Sequence, residues 1–125
     1  MQKRIYYHDT DAGGVVYYAN YLKFFEEART EFFAQKGFSI RDLASAGTMF
    51  VVARQEVDYK FPAVYGDELD IETCVASSTG VRIEFSHQAK NQHGQLICKG
   101  KATLVCVDKT FKPKALPEAI LTVFL

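Results

Sequence analysis

The chain has 125 residues, near the usual size of one domain, and residues 1–125 are read as a single folding unit. Its 15 Lys and Arg cancel its 15 Asp and Glu, so the global field expected of a nucleic-acid or anionic-membrane binder is excluded and any phosphate binding must be local. No segment is both long and uncharged enough for membrane insertion, and 10 Phe with 7 Tyr mark a soluble protein rich in aromatic packing groups.

Met1 to Ile5 lacks the apolar stretch and small-residue cleavage site of a secretory signal, and a cytoplasmic location is expected. Arg4 to Tyr7 reads as a short first strand, followed by an Asp/Gly-rich loop from His8 to Gly14. The period then changes. From about Tyr17 to Lys36, the residues Tyr21, Phe24, Phe25, Ala28 and Phe32 recur at helical spacing, and Gly37 stands where a C-cap glycine ends a helix. Ser39-Ile40-Arg41-Asp42 resembles a capping box and predicts a second, shorter helix ending near Ala46 or Gly47.

Strands follow. Thr48 to Phe61 alternates, with Met49, Val51, Ala53, Val57 and Tyr59 on one side and Arg54, Glu56, Asp58 and Lys60 on the other. Leu69 to Val75 repeats the pattern, Ser77 to Gly80 reads as a turn, and Val81 to Lys90 alternates again. A turn at Asn91 to Gly94 leads to Leu96 through Val107, whose dense apolar content predicts a central strand. Short turns imply antiparallel neighbours, so the fold class is α+β, one long aromatic-faced helix on one curved antiparallel sheet. Exposed sheet edges call for a partner, and a homo-oligomer, at least a dimer, is expected.

The three cysteines, Cys74, Cys98 and Cys106, sit in apolar strand-like runs without a CxxC pair and read as buried free thiols. His8, His87 and His93 lack metal-ligand spacing, so no metal is expected. No Ser in a G-x-S-x-G setting and no Cys-His arrangement supports an acyl-enzyme, and Gly13-Gly14 is part of neither a dinucleotide nor a phosphate-loop motif.

Chemistry concentrates between the first strand and the long helix. Asp9 and Asp11 stand beside Gly13-Gly14, just ahead of a helix start whose free N–H groups can polarise a carbonyl. A carboxylate there can act as nucleophile or as base to water. Asp and Gly are also ordinary loop residues, so local chemistry alone leaves structural and catalytic roles both open.

The spacing Arg4-Ile5, Thr10-Asp11, Gly14-Val15-Val16, Tyr18 and Tyr21 continues through Glu27-Ala28-Arg29, Phe61-Pro62-Ala63 and Gly66-Asp67. Over essentially the whole chain it resembles the 4-hydroxybenzoyl-CoA thioesterase family of hotdog proteins, in particular the small bacterial acyl-CoA thioesterases associated with the Tol-Pal system. The resemblance implies a hotdog-fold hydrolase of acyl-CoA without a cofactor, with four subunits fitting the family. Asp11 holds the position of the family's catalytic aspartate, and the backbone N–H of Tyr18 that of the group polarising the thioester carbonyl. Many members of this branch carry His where Tyr18 stands, which leaves the backbone role intact. Tyr7 matches a tyrosine beside the carboxylate.

In this reading Val16, Tyr17 and Tyr18 form the helix N-terminus that binds the thioester oxygen. Basic groups for the CoA phosphates come in the family from strands and turns near the subunit interface; Lys60, Arg82, Lys99 and Lys101 are the candidates here, with Arg82, which follows a turn, the first choice and Lys60 beside it. Glu26 and Glu27 lie on the long helix, as the acids of some hotdog enzymes do. The rival reading is a non-catalytic acyl-CoA or acyl-carrier binding protein, which needs a pocket but not Asp11.

Overall fold

Residues 1–124 are described by the structure, a computed structural model. Strands β1 (Gln2–Arg4), β2 (Met49–Tyr59), β3 (Glu68–Thr79), β4 (Arg82–Lys90) and β5 (Leu96–Val107) form one antiparallel sheet in the order β1-β3-β4-β5-β2. Register shifts in the β2/β5, β3/β4 and β4/β5 ladders bend the sheet. Helix α1 (Asn20–Gln35) lies against one face, with α2 (Ile40–Ser45) after it and α3 (Glu118–Phe124) at the C-terminal end. This is the expected α+β hotdog arrangement.

The contact between α1 and the sheet follows from the aromatic stripe. Tyr21, Phe24, Phe25, Ala28 and Phe33 are buried, spaced so that one side of the helix meets the inward residues Leu69, Ile71, Ile83, Phe85 and Ala89. Each buried Phe, Leu or Ile among these contributes about 1.5–3 kcal/mol. A missing side chain makes room at the closest point: a Cβ on Gly100 would sit 2.5 Å from the Phe25 ring. Gly100→Ala is therefore expected to lower unfolding free energy by about 1–3 kcal/mol through overpacking, measured by urea denaturation.

A polar contact crosses the same interface. Arg29 Nη1 lies 3.4 Å from His87 Nε2, and Thr73 Oγ1 lies 3.1 Å from His87 Nδ1. Arg29 has no acceptor, so Nε2 accepts and the Nδ1–H donates to Thr73. The His87 ring stacks on Phe25 with centroids 4.7 Å apart.

Several boundaries differ from the sequence reading. β1 ends at Arg4 rather than Tyr7, because the Ile5 N–H donates to Asp67 O and the chain enters a 3-10 turn over Tyr7–Asp9. β3 runs on through Thr79, leaving the turn at Gly80-Val81. β5 is an interior strand, while the middle of the sheet is β4. In β2 the register shifts between Val52 and Arg54. Phe50 and Val52 oppose the inward Cys106 and Leu104 before the shift; Gln55, Val57 and Tyr59 oppose Ala102, Gly100 and Cys98 after it. One unbroken alternation for Thr48 to Phe61 therefore fails at Ala53, since an extra residue exchanges the two faces.

Helix α3 was not foreseen; Phe124 closes the far end of the core against Phe33, with ring centroids 4.9 Å apart. The second helix forms as expected, with Ser39 Oγ accepting from the Asp42 N–H at 3.2 Å. Cys98 and Cys106 are buried, and burial pushes the Cys98 thiol up to about 12. Cys74, in contrast, is exposed, because its side of β3 faces away from α1.

Candidate active site

The loop ahead of α1 is a tight hairpin. Thr10 and Val16 pair across it, Asp11 N–H donates to Val15 O at 2.9 Å, and Gly14 N–H donates to Asp11 O at 3.0 Å. Gly14 has φ of 80°, a left-handed value that suits glycine. The returning arm is fastened to the segment after β2, with Val15 bridging Val64 and Val16 N–H donating to Ala63 O at 2.9 Å.

The two aspartates of this hairpin have different surroundings. Asp9 is buried; its Oδ2 accepts from Tyr6 N–H at 2.9 Å, and its carbonyl receives both Tyr17 N–H and Asn20 Nδ2 at 2.9 Å. It ties the turn to the helix entry. Asp11 is exposed; its Oδ1 accepts from Gly13 N–H at 2.8 Å, and its Oδ2 has no hydrogen-bond partner among the described residues. A Cβ on residue 13 would stand 3.1 Å from that Oδ1, so Gly13 leaves room for the contact. Asp11 is thus an oriented carboxylate with accepting capacity to spare.

The helix entry differs from the sequence reading in one consequential way. α1 begins at Asn20, three residues later than Tyr17. Of the three N–H groups assigned to its N-terminus, that of Val16 is taken by Ala63 O and that of Tyr17 by Asp9 O. The Tyr18 N–H has no acceptor among the described residues. The Tyr17 carbonyl accepts from Asn20 N–H at 2.9 Å, and a trans peptide then directs the Tyr18 N–H the opposite way, off the helix end. Val16 is a buried core residue and Tyr17 is exposed, and neither offers a free donor.

An open cleft of about 300 Å³ lies beside this point, lined by Val15, Val16, Tyr18, Tyr21, Tyr59, Lys60, Phe61 and Pro62. Tyr59 closes on Tyr18, its hydroxyl donating to Tyr18 O at 2.9 Å. The Tyr17 and Tyr18 rings are 4.9 Å apart. The neighbouring Tyr18 hydroxyl first, and the Asp11 charge as a lesser cause, hold the Tyr17 phenol above its ordinary range.

The remaining candidates separate. Lys60 lines the cleft with Tyr18. Arg82 opens β4 at the end opposite Lys90, roughly 26 Å along the strand from the site end, so one chain does not bring it to Asp11. Lys99 and Lys101 oppose Asp58 and Glu56 and line a separate cavity of about 400 Å³ with Glu72 and Gln88. They lie beside these carboxylates and outside the cleft that holds Tyr18 and Lys60. Tyr7 is exposed, its ring meeting Tyr65 edge-on at 6.0 Å. Glu27 pairs with Lys3 at 3.3 Å and ties α1 to β1, while Glu26 accepts from Thr30 on the exposed helix surface. Asn20, whose amide holds the Asp9 carbonyl, was missed; Asn just inside a helix start is the signal that marks it. Among the described residues no group of three or more His, Cys, Asp or Glu is gathered as for a metal ion.

A long helix laid on a bent five-stranded sheet, with a carboxylate hairpin and a free N–H at the helix entry, defines a hotdog-fold protein of the thioesterase type. The chain belongs to the thioesterase-like superfamily, whose family model matches residues 6–124. It is 41% identical over 122 residues to the acyl-CoA thioester hydrolase YbgC of Escherichia coli O6:H1, covering 97% of this chain and 91% of that protein. It is 39% identical over 123 residues to the acyl-CoA thioesterase YbgC of Haemophilus influenzae, covering 97% and 90%. Among solved structures, the DHNA-CoA thioesterase from Staphylococcus aureus superposes with a TM-score of 0.93 at 30% identity, over 98% of this chain and 88% of that one.

Proposed function

We propose that Asp11 and the Tyr18 N–H carry out the hydrolysis of an acyl-CoA thioester at the cleft between the hairpin, α1 and the end of β2. The chain is an acyl-CoA thioester hydrolase, releasing free acid and CoA. The observation that carries the site assignment is the pairing of a carboxylate with a free oxygen and, of the N–H groups of Val16, Tyr17 and Tyr18, the one without an acceptor among the described residues.

In this reading the thioester oxygen accepts from Tyr18 N–H, which draws electron density from the carbonyl carbon. Asp11 then takes a proton from an attacking water, or attacks the carbon itself to form an anhydride that water opens. The C–S bond breaks, and the CoA sulfur leaves and takes up a proton. Carboxylate, N–H and water balance every atom of this reaction, and we propose that no cofactor takes part. Val16 and Tyr17 supply apolar surface for the acyl group, Tyr7 flanks the carboxylate, and Lys60 is the basic residue best situated for a CoA phosphate. Arg82 could serve only from another subunit.

A homodimer, alone or doubled into a tetramer, is part of the proposal. β2 pairs only with β5 among the described residues, and Val51 and Val52 are exposed along it, which leaves a long edge for a second copy. No helix is long and apolar enough to cross a membrane among the described residues; a cytoplasmic site of action is proposed with the activity.

The test is incubation with a panel of short, long and aromatic acyl-CoAs, with free CoA read by chromatography because exposed Cys74 would itself consume a thiol reagent. Enzyme-dependent CoA release from at least one member is expected. Binding across the panel without release would instead establish a ligand-sensing protein.

A further inference from the structure

Resting on the reading that Tyr18 N–H polarises the thioester carbonyl, we infer that Tyr59 is a positioning residue of this site, acting through the hydrogen bond from its hydroxyl to the Tyr18 carbonyl. Three ties hold the backbone around that N–H. Tyr17 N–H donates to Asp9 O, and Tyr17 O accepts from Asn20 N–H, each at 2.9 Å. The third, Tyr59 to Tyr18 O at 2.9 Å, reaches across 41 residues from the last position of β2. The first two are formed within the hairpin and helix entry. Only the third joins the helix entry to the sheet by a side-chain donor.

The ring of Tyr59 fits this task. It meets Tyr18 edge-on at 6.4 Å and Tyr21 at 5.6 Å, so the phenol is braced from two sides while its hydroxyl is spent on a main-chain carbonyl. If Tyr59 only covered the rim of the core, Phe would serve equally, since the ring contacts do not involve the oxygen. Without the hydroxyl, Tyr18 is held only from its Tyr17 side, by the Tyr17 O to Asn20 N–H bond, and its N–H is less firmly placed than when Tyr59 also anchors its carbonyl. The loss falls on the transition state, because an oxyanion depends on a well-aimed donor far more than a neutral thioester carbonyl does.

The experiment compares Tyr59→Phe with the unaltered protein. A kcat lowered about tenfold is expected, with KM within about twofold and Tm within about 2 °C. The spectroscopic readout uses butyryl-CoA and benzoyl-CoA carrying 13C at the carbonyl, bound to Asp11→Asn protein so that turnover is suppressed. A downfield displacement of the bound carbonyl resonance is expected there, and its loss by more than half in the Asp11→Asn, Tyr59→Phe double variant. A Tyr59→Phe protein with kcat within about twofold, or with an undiminished carbonyl displacement, overturns the inference. If Asp11→Asn itself retains turnover, the carboxylate mechanism fails instead, so the two failures are told apart.

Discussion

Asp11→Asn is expected to lower kcat for acyl-CoA hydrolysis about a thousandfold while leaving KM and Tm nearly unchanged. The substitution is chosen for what it preserves. An amide oxygen at Oδ1 can still accept from Gly13 N–H, so the hairpin keeps its shape and the adjacent cleft its lining. What disappears is the negative charge, and with it both proton abstraction and nucleophilic attack. Steady-state kinetics with the best acyl-CoA of the panel measures this directly. Near-normal turnover in the variant would remove Asp11 from the chemistry. Asp9, whose carboxylate and carbonyl are occupied by Tyr6, Tyr17 and Asn20, is expected to affect folding rather than turnover when replaced.

The second large effect is on stability in acid. Burial first, and the charge of Arg29 second, push the His87 imidazole down to about 3 from its ordinary 6.5. Between those values the unfolded chain binds a proton that the folded protein refuses. Stability is therefore complete above about pH 6.5 and falls as pH is lowered toward 3. At pH 5 the loss from this residue is about 2 kcal/mol, the order expected from 1.5 units at 1.36 kcal/mol each. His87→Gln can still accept from Arg29 and donate to Thr73 but does not titrate. Urea denaturation at pH 7 and pH 5 should show a smaller acid loss in the variant by about that amount. Equal acid losses in the two proteins would mean that His87 is protonated in the folded state.

Much of this arrangement is legible in the order of residues because it is local. Tyr21, Phe24, Phe25 and Ala28 repeat at a spacing that only a helix brings to one side. The alternation in β3 and β4 likewise marks an inner and an outer face before any partner strand is known. The shift at Ala53 was not legible, since an extra residue in a strand is defined only against its neighbour. Helix α3 was missed for a related reason: seven residues are too few to show a period, and their burial depends on Phe33 and Phe85.

By itself the sequence determined the α+β architecture, the family, and the placing of Asp11 just ahead of the long helix. Each depends on spacing along the chain, and spacing survives without coordinates. Only the tertiary structure decided which aspartate is free and which N–H is unclaimed. Asp9 and Asp11 are the same residue type two positions apart, and Val16, Tyr17 and Tyr18 carry identical amides. Their difference is made by Tyr6, Asn20 and Ala63, which fold back to satisfy one set of polar groups and leave the other available. Arg82, following a turn, read as the better phosphate candidate than Lys60, until the length of β4 carried it away from the cleft that Lys60 lines.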